Sequence, residues 1–118
     1  MKKQNKPITT DATDYDAQYL RNVLRERERA WHASLFALRD AGWNRAEILA
    51  GVAAIDGLVR LPHVSANEIA ADLLVRADSV VTIDSRVWKR RVAQVRCSQE
   101  LALALVLLRR ELERTVSA

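Results

Sequence analysis

The chain has 118 residues, and 49% of them are hydrophobic, enough for one domain with a real core. Three glycines and two prolines are too few turn formers for a many-stranded sandwich or barrel, so the composition points to helices. Nineteen Lys and Arg against fifteen Asp and Glu leave a net charge of +4, which excludes a histone-like polycation but is compatible with nucleic acid.

The chain opens on MKKQNKPITT, polar and basic with no apolar run behind the lysines, so it does not read as a signal peptide. Residues 1–10 are expected to be a disordered basic N-terminus, with a single helical domain over 11–118. Thr10 to Asp16 supplies several N-caps, with acids placed where a helix dipole favours them. A long amphipathic helix to Ala41 is predicted from there, with Leu20, Val23, Leu24, Trp31, Leu35 and Leu38 as its apolar stripe. The charge-alternating RERER, Arg25 to Arg29, reads as its solvated face.

Gly42 is placed to end this helix in a left-handed cap. Asn44 and Glu47 make a capping box that opens a second helix through Ile48, Leu49, Val52 and Ile55, within which Gly51 permits a close helix–helix approach. Asp56-Gly57 closes it, and the residue before Pro62 is pushed away from helix, leaving a connector. Ser65 and Glu68 repeat the capping-box pattern, and Ile69, Ala70, Leu73 and Leu74 follow at helical spacing. After a break around Arg76 to Asp78 come Val80 and Ile83, and then Arg86, Lys89, Arg90, Arg91 and Arg96.

Residues 67–86 resemble the helix-turn-helix signature of bacterial and phage DNA-binding regulators. Ile69, Ala70, Leu73, Val75, Val80 and Ile83 fall at the family's inward-facing positions, and the turn position, Gly in the family, holds Leu74 here. The resemblance implies that a helix from about Asp78 to Ser85 enters the major groove. The segment SVVTI, Ser79 to Ile83, is nevertheless rich in β-branched residues. Helical, it is a recognition helix presenting Arg76, Ser79 and Thr82. Extended, it is one strand of a ribbon made with a second subunit, presenting residues such as Val80 and Thr82. The helical version is preferred, and both end at DNA.

Asp84 or Ser85 can cap the basic helix that follows. Its Trp88, Val92 and Val95 make one side and its bases the other, so Arg86, Lys89, Arg90 and Arg91 are assigned to phosphates. Ser98 starts the last helix, whose run Leu101 to Leu108 falls far short of the roughly twenty apolar residues that span a bilayer. Leu101, Leu105, Leu108 and Leu112 form one seam, and Leu103 with Leu107 another. A helix apolar nearly all round needs cover on both sides, so the seam Leu101, Leu105, Leu108 and Leu112 is assigned to a homodimer interface.

Chemistry is not invited elsewhere. His32 and His63 have no Cys, Asp or Glu at metal-ligand spacing. Cys97 cannot form an internal disulfide, suits a reducing cytoplasm and lacks the setting of a nucleophile. No phosphate loop, carboxylate pair or local triad signature is present, so no enzyme, cofactor or metal is expected. An aromatic content of 5% argues against a stacking platform for single strands. The expectation is a compact all-α bundle of about five helices containing a helix-turn-helix-like unit and a C-terminal dimerisation helix. Its function is expected to be that of a small cytoplasmic DNA-binding transcriptional regulator whose partners are double-stranded DNA and a second copy. The rival is a helical interaction module, an adaptor or inhibitor that docks on a protein partner through its arginine-rich and leucine-rich helices.

Overall fold

The computed structural model describes the backbone of residues 8–55, 61–77 and 82–117, and within them the side chains from Asp16 to Arg114. Among the described residues there are five α-helices: α1 (Ile8–Asp40), α2 (Arg45–Ala54), α3 (Ala66–Val75), α4 (Ser85–Arg96) and α5 (Gln99–Ser117). Among the described residues there is no strand, and the all-α expectation holds. Two units are distinguished, Met1–Ala30 and Trp31–Ala118. α1 begins at Ile8, ahead of the caps read from the sequence.

The Trp31–Ala118 unit holds the core. Its fully buried side chains include Leu38, Ile55, Ile69, Leu73, Trp88, Val95, Leu105 and Leu108. α1 enters this core at its last turns and stops at a Schellman cap. Gly42 sits at φ +97°, its N–H bonds the Arg39 carbonyl at 2.9 Å, and the Trp43 N–H bonds the Leu38 carbonyl at 3.0 Å. Trp43 and Leu38, brought together by those bonds, are both buried in the core. A side chain at Gly42 would be forced into the left-handed region at a cost of about 1–2 kcal/mol.

Both capping boxes form. The Glu47 N–H donates to Asn44 Oδ1 at 2.9 Å and the Asn44 N–H donates to Glu47 Oε1 at 2.8 Å. At α3 the corresponding bonds between Ser65 and Glu68 are 3.2 and 3.0 Å. The two backbone and hydroxyl donors of Ser65 hold the Glu68 carboxyl below the usual carboxylate range, the backbone N–H contributing most. Asp84 caps α4 by accepting the Arg86 N–H at 2.8 Å, and Ser98 Oγ accepts the Leu101 N–H at 3.2 Å at the start of α5.

The α5 helix is the element against which α2, α3 and α4 all pack. It also closes other helices with its polar side chains. Gln99 bridges the approach to α3, donating to the Val64 carbonyl and accepting the orphan Ala66 N–H, both at 3.0 Å. Arg109 donates to the Val52 carbonyl in the last turn of α2 at 2.9 Å, and Arg110 donates to the Leu61 carbonyl at 2.7 Å. Gly51 of α2 meets this helix closely, because a Cβ there would lie 3.1 Å from both Leu105 Cδ2 and Trp43 Cζ3. The close approach read from the sequence is therefore present.

The dimer assignment of α5 needs correction. Leu101, Leu105 and Leu108 are 6%, 0% and 1% exposed within the single chain, so they are core and not a face awaiting a second subunit. Leu112, past the end of the packed region, is exposed. Three helices, α2, α3 and α4, pack around α5, so its apolar faces are covered within one chain. Burial of each of these leucines stabilises the fold by roughly 1.5–3 kcal/mol.

Candidate nucleic-acid interface

Four of the bases assigned from the sequence to this stretch stand together on α4. Arg86, Lys89, Arg90 and Arg96 are all exposed, while Trp88, Val92 and Val95 on the opposite side are buried. At 1.5 Å per residue the stripe from Arg86 to Arg96 is about 15 Å long. No acid interrupts SRVWKRRVAQVR. The orientation follows from the apolar register: Trp88, Val92 and Val95 must face the core, and a hundred degrees per residue then sends 86, 89, 90 and 96 outward. Trp88 fixes this further, because its indole N–H donates to the Leu73 carbonyl at 3.2 Å in the last turn of α3.

Arg91 is different. Its Nε donates to Glu47 Oε1 at 3.2 Å, its Nη2 donates to the Gly42 carbonyl at 2.7 Å, and its Nη1 donates to Gln94 Oε1 at 3.3 Å. The guanidinium also lies 5.9 Å from the centre of the Trp43 ring, and Trp43 meets Trp88 edge-on at 6.3 Å. Gln94 joins the same network, donating to the Ala41 carbonyl at 2.9 Å and accepting the Trp43 indole N–H at 3.0 Å. The phosphate role expected of Arg91 is corrected accordingly. Its charge is spent on a Glu47 side chain that is only 5% exposed, and the pair locks α4 to the corner between α1 and α2.

The remaining predicted contacts lie around the connection from α3 to α4. Arg76 is exposed at the C-cap of α3, and Thr82 is exposed ahead of α4. Ser79 and Val80 lie outside the described residues. Of the expected recognition helix from Asp78 to Ser85, Thr82 to Asp84 are not helical, and Asp84 is the cap of α4. Leu74 does not form a turn, since α3 continues through Val75 and no residue other than Gly42 has positive φ among those described. Ile69, Ala70 and Leu73 are buried as the inward pattern requires, Ile83 packs partly against the core, and Val75 is exposed instead. α3 thus ends at Val75 and α4 begins at Ser85, and residues 78–81 between them lie outside the described residues.

Nothing in the local spacing signals the structural roles of Gln94, Gln99 and Arg109, whose partners in those roles lie 33 to 57 residues away. One signal was available for Arg91: it lies between Trp88 and Val95 on the buried row of the helix, three residues from one and four from the other. Among the described residues no three His, Cys, Asp or Glu side chains are grouped to hold a metal ion, and no helix is long and apolar enough to cross a membrane. No family model, curated protein or solved structure matches the chain.

Proposed function

We propose that this protein binds the backbone of double-stranded DNA through the outer face of α4 and acts as a small DNA-binding regulator. The observation that carries the reading is the stripe of Arg86, Lys89, Arg90 and Arg96, exposed along one helix that contains no acid. Stability does not ask for it. Arg86 sits in the first turn, where a cation opposes the helix dipole, and like charges at neighbouring helical positions repel. Phosphates relieve both penalties, and each one neutralised releases condensed counterions.

The chemistry favours a duplex over a single strand. Trp43 and Trp88 are buried in the core, so neither indole face is available near α4 for bases to stack upon. A helix fits the major groove, which is about 12 Å wide. Arg76 and Thr82, both exposed, are the described candidates for base contacts, and Arg91 with Glu47 sets the angle at which α4 is presented.

Fluorescence anisotropy of labelled duplex DNA over a salt series tests the proposal. Four phosphate contacts predict a fall of log K with log salt of slope about −3 to −4, and Lys89→Ala with Arg90→Ala reduces its magnitude by about two. Absence of binding at low salt, or a slope unmoved by the double substitution, overturns the reading.

A further inference from the structure

We infer that a second copy of this chain covers the apolar stripe of α1 between Asp16 and Ala30, as a parallel two-helix contact. None of the described side chains from Asp16 to Ala30 is buried, and Leu20 and Leu24 are each 57% exposed. Ala17, Leu20, Leu24 and Arg27 recur at alternating three- and four-residue steps, the seam of a heptad with Ala17 and Leu24 at a and Leu20 and Arg27 at d. Asp16 and Val23 then take the g positions, and Arg21 and Glu28 the e positions.

The charges are what identify the occupant, because they complement themselves. In a parallel pair each g side chain faces the e side chain of the following heptad across the seam, which sets Asp16 against Arg21 of the partner subunit on both edges. A d side chain enters a hole bordered by the partner's e residue, so Arg27 meets Glu28 of the partner subunit rather than only its own copy. Leu20 and Leu24 stack on themselves between these pairs. The antiparallel register that sets Leu20 against the partner's Leu24 brings Arg21 onto the partner's Arg21, which is repulsive. A lipid surface fits less well, since Asp16, Glu26 and Glu28 interrupt the cationic face that interfacial helices carry. Within the single helix Arg21 bonds Gln18 at 3.1 Å and Arg29 pairs with Glu26 at 3.1 Å, both exposed contacts, and Leu20 and Leu24 remain more than half exposed.

Sedimentation equilibrium of the full chain, without nucleic acid, reads this directly, so its outcome is separate from that of DNA binding. With so short a seam the mass is expected to rise from one chain to two across roughly 1–100 µM. Leu20→Lys with Leu24→Lys is expected to hold the chain at one copy over that range, with unchanged emission from the buried Trp43 and Trp88 as the check on folding. Asp16→Arg or Arg21→Asp alone weakens the dimer about fivefold, and the two together restore it. A single-chain mass at every concentration, a dimer indifferent to the leucine substitutions, or a charge exchange that restores nothing overturns the inference.

Discussion

Two leucine stripes in this chain look alike in sequence and have opposite fates. Leu20 and Leu24 of α1 repeat at helical spacing, as do Leu101, Leu105 and Leu108 of α5. The first pair is more than half exposed and the second set is buried, the reverse of what spacing alone assigns to these five leucines, although Leu38 at the other end of the α1 stripe is core. Periodicity reveals that a helix has an apolar face. What covers that face depends on which other helices are within reach, and α5 has α2, α3 and α4 around it.

The largest effect that sharpens the contrast is cavity formation in α5. Leu105→Ala is expected to destabilise the fold by about 2–5 kcal/mol in urea unfolding followed by tryptophan emission. Leu24→Ala, measured dilute enough to keep one chain apart from another, is expected to stay within about 0.5 kcal/mol of the parent. Equal losses at the two sites would break the comparison.

A similar contrast runs around α4 itself, between the arginine that faces inward and those that face out. Arg91→Ala leaves the Glu47 carboxylate buried without its cation, and a loss on the order of 3 kcal/mol is expected in the same unfolding measurement. Lys89→Ala and Arg90→Ala, both at exposed positions, are each expected to change stability by less than about 0.5 kcal/mol while weakening DNA binding. A stable Arg91→Ala would place the lock between α4 and the α1–α2 corner elsewhere.

The smallest effect concerns the cap of α3. Because the folded state holds the Glu68 carboxyl below its ordinary range, the cap contributes stability above the unfolded value and loses it as the pH falls through the folded one. Carboxyl titration by NMR is expected to show Ser65→Ala raising Glu68 only part of the way, since the larger contribution, from the Ser65 backbone N–H, survives the substitution. A complete return to the ordinary range would assign the cap to the hydroxyl alone.

Much of the helical layout was legible locally. Asn44 with Glu47, Ser65 with Glu68, Asp84, Ser98 and Gly42 each act over a few residues, so their roles in starting or ending helices are written in the residues beside them. The outward stripe of α4 was legible for the same reason, since Trp88, Val92 and Val95 fix which way the bases turn. The motif-length match over 67–86 predicted Ile69, Ala70 and Leu73 correctly but placed a turn at Leu74, where α3 instead continues to Val75. Leucine is a good helix former and nothing at that position requires positive φ.

By itself the sequence determined helices, their caps and the direction in which α4 turns its charges, because those follow from bonds and spacings within one or two turns. Only the tertiary structure decided that α5 is the buried axis, that Arg91 belongs to Glu47, Gly42 and Trp43, and that Gln99 and Arg109 close other helices. The partners in those contacts stand tens of residues apart in the chain, as with Arg91 and Glu47, and no local spacing encodes which distant carboxylate or carbonyl a side chain will meet. Burial obeys the same limit. A leucine's apolar surface is a property of the residue, whereas its loss of water is a property of its neighbours.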